Sequence, residues 1–231
     1  MQFTVMPFGL HSAPAVFQHL MDRIITPELE PNVFCYLDDI VIISETYEKH
    51  RSLLREVFRR LKAAKLKPNW EKSKFGRERL KYLGHVIDKN GIHTDPDKVK
   101  AIADMTTSKN LRDLRQFTGL ISWYRRFVSN VASLAAPLNK LLRKNVRWTW
   151  GETQEKAFNT LKEHLINAPI LACPNFSKTF ILQTDASNDG LGAVLTQNID
   201  GKERVIAYAS RTLNKAEKNY SATEKECLAV K

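Results

Sequence analysis

Two carboxylates interrupt an otherwise apolar run: residues 33 to 43 read Val-Phe-Cys-Tyr-Leu-Asp-Asp-Ile-Val-Ile-Ile, with Asp38 and Asp39 where two short β-like stretches meet. The flanks are β-branched and aromatic, which favours strands, and paired acids between strands favour a tight hairpin turn. If the flanks are buried, the two like charges repel each other and lose hydration, so the pair needs a compensating cation. A hard, oxygen-seeking ion such as Mg2+ suits that role. Acids are also common turn residues, and the doublet taken alone reads more often as a plain turn than as a catalytic one.

Its context changes that balance. Tyr36-Leu37-Asp38-Asp39 resembles the Tyr-x-Asp-Asp box of reverse transcriptases. Upstream, Phe3-Thr4-Val5-Met6-Pro7-Phe8-Gly9-Leu10 and then Ser12-Ala13-Pro14-Ala15-Val16-Phe17-Gln18 resemble the segment that precedes this box in Gypsy-type LTR retrotransposon Pol polyproteins. Two such blocks in this order are far more specific than either one.

The resemblance continues along the chain. Tyr82-Leu83-Gly84 is similar to the primer grip of reverse transcriptases, and Gly119-Leu120 with Trp123-Tyr124-Arg125-Arg126-Phe127 to the helical thumb of the Gypsy family, from which Thr118 departs where Leu is usual. Thr184-Asp185-Ala186-Ser187 resembles the opening of ribonuclease H, and Glu224-Lys225-Glu226-Cys227-Leu228-Ala229 its glutamate-bearing helix, with Glu226 as the match and Glu224 as the fallback. The fold so implied is α+β: a partial polymerase palm over 1–90, a helical thumb or connection over 91–172, and the N-terminal part of a ribonuclease H-like domain over 173–231.

The implied activity is RNA-directed DNA synthesis with attached ribonuclease H. Asp38 and Asp39 would hold Mg2+ for polymerisation, and Asp185 and Glu226 for RNA cleavage. Phe8 would shape the nucleotide pocket and Gly9 would let nucleotide or template approach the backbone. Tyr36, the Tyr82-Leu83-Gly84 block, Arg125 and Arg126 are the candidate nucleic-acid contacts. Partners are an RNA/DNA primer-template and deoxynucleotides, in a cytoplasmic retroelement particle or the nucleus. Oligomeric state is not legible.

Charge agrees with a polyanionic partner. The chain carries net +11; Glu45–Lys81 holds thirteen Lys or Arg against five acids and Lys109–Arg147 nine against one. Clustered cations bind nucleic acid by counterion release, although either stretch alone is as well explained by a solvated helix face. Cys35, Cys173 and Cys227 are far apart and the histidines do not cluster, so neither a zinc site nor a disulfide framework is expected. No apolar run approaches the roughly 20 residues of a membrane span, and no secretory signal is visible.

The periodicity predicts a helix capped by Ser44 and ended by Pro68-Asn69, a strand over Leu80–Ile87, a helix from Asp97, a long helix after Ser108 with apolar residues from Leu111 to Val128 on one face, a helix over Glu152–Ile166, three strands from Thr179 to Ser210, and a last helix from about Lys215. The family resemblance also predicts a fragment, beginning after the first palm aspartate and ending before ribonuclease H closes. With half the ligands of each site, the 231-residue chain is expected to have little activity alone. A second reading, a domesticated or decayed nucleic-acid-binding protein without catalysis, predicts binding indifferent to Asp38.

Overall fold

The computed structural model describes residues 6, 7 and 9–231, and the candidate Phe8 lies outside them. The chain divides into two compact units, Met1–Phe75 and Gly76–Lys231.

In the first unit, α1 (Ala13–Ile24) leads to the hairpin β1 (Val33–Tyr36) and β2 (Asp39–Ile42), followed by α2 (Tyr47–Ala63). Antiparallel pairing sets Val33 opposite Ile42 and Tyr36 opposite Asp39, leaving Leu37 and Asp38 as a two-residue turn. With side chains alternating, Val33, Cys35, Ile40 and Ile42 pack with Met21, Ile24, Val57 and Leu61 of the two helices. Tyr36 and Asp39 lie on the other face. The acids are therefore not buried as the apolar run suggested: both lie at the turn end of the ladder and are exposed, although Val41, two residues on from Asp39 along the same face, is buried.

Thr46, not Ser44, caps α2, its hydroxyl accepting from the Lys49 amide at 3.3 Å. The helix ends at Ala63, well before Pro68, and Lys65 then takes a left-handed conformation (φ 59) while the Leu66 amide bonds back to the Leu61 carbonyl.

The second unit opens with the antiparallel sheet β3 (Arg79–Tyr82), β4 (His85–Asp88) and β5 (Gly91–Thr94). What reads as one strand over Leu80–Ile87 is a hairpin, folded at Leu83 and Gly84, whose φ values of 46 and 71 are both those of a tight two-residue turn. Helices α3 (Pro96–Ala103), α4 (Leu111–Trp123), α5 (Val131–Leu134), α6 (Ala136–Leu141) and α7 (Glu152–Ile166) enclose the larger core, including Phe117 and Phe158, whose ring centroids lie 4.2 Å apart. Asn110, not Ser108, caps α4, accepting from the Arg112 and Asp113 amides. The helix stops at Trp123 and a 3-10 turn carries Arg125–Phe127, earlier than the apolar pattern to Val128 suggested.

The chain then forms a second antiparallel sheet in the order β6 (Ile181–Ala186), β7 (Gly190–Ile199), β8 (Lys202–Thr212), with α8 (Ala222–Val230) packed on β6 and β7. This last helix starts later than expected, after a 3-10 turn at Glu217–Asn219. Leu171 and Ala172 stitch the two sheets together: Leu171 exchanges both backbone bonds with Ile92 of β5, and the Ala172 amide donates to the Val205 carbonyl of β8.

Candidate active site

Asp38 sits in the β1–β2 turn and Asp39 begins β2, side by side with Tyr36 across the ladder. Neither carboxylate makes a hydrogen bond or ion pair among the described residues. Leu37 occupies a left-handed conformation (φ 51) before Asp38, and its amide donates to Gln18 Oε1 of α1 at 2.6 Å. The Cys35 thiol lies 3.5 Å from the Leu37 carbonyl and can donate to it. Burial, reinforced by the charges of Asp22, Asp38 and Asp39, pushes that thiol up to about 11, so it keeps its proton at neutral pH.

Gly9 has a left-handed φ of 87 with open space where a side chain would begin. The Tyr82-Leu83-Gly84 turn is held from α4. Tyr124 donates its hydroxyl to the Gly84 carbonyl at 2.7 Å, and the Trp123 indole covers Gly84 so closely that a Cβ there would meet Nε1 at 2.9 Å. Leu83 and Trp123 are exposed beside each other's elements, whereas Tyr124 and Phe127 are core. Arg125 is exposed and lines a cavity of about 230 Å³ with Thr118, Ser122, Asn139, Ser210 and Arg211. Arg126 points inward, its Nε buried without a partner among the described residues, so the two adjacent arginines are placed differently.

Asp185 lies near the end of β6, exposed and without a polar partner among the described residues. Glu224 and Glu226 are separated by their roles. Glu224 closes a capping box at the start of α8, accepting from the Ser221 amide at 2.8 Å while its own amide donates to the Ser221 hydroxyl. The Ser221 amide and then the Ser221 hydroxyl, both donating to the Glu224 carboxylate, lower that carboxyl below the usual range. Glu226, further along, is exposed and unengaged. Of the two, Glu226 is therefore the one left free to bind an ion.

Among the described residues no three or more His, Cys, Asp or Glu side chains gather to hold a metal. The Asp38–Asp39 pair nevertheless suits a hard cation: among the described residues no arginine or lysine pairs with either carboxylate, and both offer oxygen donors.

A family model described as "Reverse transcriptase (RNA-dependent DNA polymerase)" matches residues 1–87, and one described as "RNase H-like domain found in reverse transcriptase" matches residues 150–231. The retrovirus-related Pol polyprotein from transposon opus of Drosophila melanogaster is 42% identical over 99% of this chain, which covers 24% of that protein. The transposon Tf2-3 polyprotein of Schizosaccharomyces pombe is 37% identical over 99% of the chain, covering 17% of its own length. The chain is a reverse transcriptase and RNase H-like region of an LTR-retrotransposon Pol polyprotein.

This region spans about a quarter or less of the curated Pol relatives it matches. Its α+β architecture is that of reverse transcriptases: a foamy viral protease-reverse transcriptase solved with double-stranded DNA superimposes with a TM-score of 0.86 over 99% of this chain and 40% of that one, at 23% identity. A second foamy viral structure, solved with an RNA/DNA hybrid, gives 0.84 over 99% and 31%, at 22% identity.

Two side chains at these sites fall inside the blocks that carry the family resemblance but have no role of their own legible in the sequence. Gln18 is an uncharged amide whose contact appears only where α1 brings it to Leu37. Trp123 lies off the apolar face of α4 and is exposed over the Gly84 turn.

Proposed function

We propose that this region belongs to a Gypsy-type LTR element and takes part in two reactions: extension of a DNA primer on a nucleic-acid template, and cleavage of RNA in the resulting hybrid. Residues 1–90 serve as partial palm, 91–172 as thumb or connection and 173–231 as the start of ribonuclease H. The foamy viral neighbours, bound to double-stranded DNA and to RNA/DNA hybrid, support a duplex partner. The observation that carries the reading is the exposed, unpaired Asp38–Asp39 doublet on a turn pinned to α1.

Asp38 and Asp39 would hold Mg2+ in the polymerase site, and Asp185 and Glu226 in the ribonuclease site. When bound, Mg2+ supplies charge stabilisation at the attacking and leaving oxygens of phosphoryl transfer. The protein's own contribution is placement. The β1–β2 ladder holds the carboxylates forward, Tyr36 lies beside Asp39 facing the same side, and Gly9 leaves space for a nucleotide or template. The Leu83–Gly84 turn, gripped by Tyr124 and Trp123, holds the primer end, and Arg125 meets backbone phosphate. Phe8 completes the nucleotide pocket, deoxynucleotides are the second substrate, and the reaction takes place in a cytoplasmic retroelement particle or in the nucleus.

The test is primer extension with Mg2+ by the reverse transcriptase that contains this region. Asp38→Asn should lower extension by about 1,000-fold, the loss of several kcal/mol of charge stabilisation. Extension within about threefold of the parent would overturn the polymerase assignment and favour a nucleic-acid-binding protein without catalysis.

A further inference from the structure

Resting on the polymerase reading, we infer that Gln18 is a positioning residue: its side-chain amide, carried on α1 and oriented by Asp22, sets the backbone turn that presents Asp38.

Both ends of the amide are engaged. Gln18 Oε1 accepts from the Leu37 amide at 2.6 Å, and Nε2 donates to Asp22 Oδ1 at 2.8 Å and to the Cys35 carbonyl at 3.3 Å. Asp22 determines which way round the group sits. An ionised carboxylate only accepts, so it selects the nitrogen end and leaves the oxygen toward Leu37. Asp22 lies one turn after Gln18 on the same helix, so the pair is local to α1 and does not depend on the hairpin.

The position of the bond gives it leverage. In a two-residue hairpin the ladder bonds stop at Tyr36 and Asp39, so the amide of the first turn residue would ordinarily face water. Leu37 is also held left-handed, a conformation that strains a non-glycine residue, so the turn has nearby alternatives that relieve this strain. A charge-neutral clamp at that amide removes them. The clamp is anchored: Met21 and Ile24, on the same helix, are buried in the core of this unit, so the height of the turn is fixed relative to the core as well as to its own two strands. Asp38 follows Leu37 directly, and rotation of the Leu37 peptide would carry the Asp38 side chain with it. Sites that position reacting groups tolerate only about 0.5 Å of such drift.

A neutral amide fits this place better than its charged counterpart. Glutamate at position 18 could still accept from the Leu37 amide, but it would have no donor for the Cys35 carbonyl and would set a second carboxylate against Asp22. Leucine would keep the bulk and make none of the three bonds.

The experiment compares Gln18→Leu, Gln18→Glu and Asp38→Asn in the reverse transcriptase containing this region, with amide exchange of the 231-residue chain alongside. Both Gln18 variants should lose kcat by about 10–100-fold, the usual cost of removing a supporting partner, with KM for primer-template within about threefold of the parent. The Leu37 amide should exchange faster in both variants while the Phe34 amide, in a hydrogen-bonded pair with Val41 of the same hairpin, stays protected. If kcat stays within about twofold of the parent in either variant, or if the loss falls on KM for primer-template alone, Gln18 has no positioning role. Should Gln18→Leu fail to fold, Gln18→Glu decides on the same readouts. An active Asp38→Asn enzyme would sink the polymerase reading itself, whereas an inactive one beside an unimpaired Gln18 variant would sink only the clamp.

Discussion

The Tyr124 hydroxyl donates to the Gly84 carbonyl at 2.7 Å, tying α4 to a turn forty residues earlier in the chain. That carbonyl belongs to a two-residue turn whose own ladder leaves it unpaired, and the Trp123 ring closes over the same glycine. Tyr124→Phe should therefore cost about 1 kcal/mol in urea denaturation, since a partly buried acceptor loses its donor. Gly84→Ala should do more, because the new methyl displaces the Trp123 indole and the left-handed φ of 71 disfavours a side chain. On the proposed reading of this turn as a primer contact, both changes in the reverse transcriptase containing this region should raise KM for primer-template more than they lower kcat, as measured by steady-state extension.

The two acids of α8 should separate cleanly by substitution. Glu224→Gln weakens the capping box with Ser221 and should lower the melting temperature of the chain without affecting hybrid cleavage by the complete enzyme. Glu226→Gln should leave the melting temperature unchanged and abolish Mg2+-dependent cleavage. The reverse result would move the ribonuclease role to Glu224.

The contrast between these residues indicates what a linear reading can reach. Periodicity located α7 at Glu152–Ile166 because Ala157, Phe158, Leu161 and Leu165 recur on one face, and alternation with turn acids located the β1–β2 hairpin. It failed where a tertiary contact decides the local conformation. Leu83 carries no turn signal, so the hairpin at Leu83–Gly84 read as continuous strand; α4 keeps its apolar spacing past Tyr124 although the helix has already tightened into a 3-10 turn. The short α5 and α6 were not anticipated either. The candidate site was legible through its charged residues. The contacts of Gln18 with Leu37 and of Trp123 with Gly84 were not, because each joins residues distant in sequence.

Acid should loosen the second unit through His85. Its ring lies against Trp123, Tyr124 and Phe127, and Nδ1 is buried without a partner among the described residues. Burial first, and then the charge of Arg126, hold it below the usual histidine value of 6.5. The folded state thus binds fewer protons than the unfolded one. Its stability is full above about pH 6.5 and is lost as pH falls from there through the folded-state value. The melting temperature should drop between about pH 7.5 and pH 5.5, and His85→Phe should shrink that drop.

Three glycines should respond to alanine with three different outcomes, which tests the stitch between the two sheets of the second unit. At Gly91 (φ +137) a Cβ would lie 2.1 Å from the Leu171 carbonyl oxygen, the acceptor of the Ile92 amide, so Gly91→Ala must push β5 away from the Leu171–Ala172 segment. A loss of about 3 kcal/mol is expected, at the upper end for a single substitution. Gly76 is also left-handed (φ +57) but has nothing within 4 Å, so Gly76→Ala should cost only the conformational strain, about 1 kcal/mol. Gly119 lies inside α4 with open space beside it, and there alanine should stabilise by about 0.5–1 kcal/mol through helix propensity. Urea melts of the three variants read the order directly. If Gly91→Ala costs no more than Gly76→Ala, the Ile92–Leu171 pairing does not bind the two sheets as tightly as the backbone geometry requires.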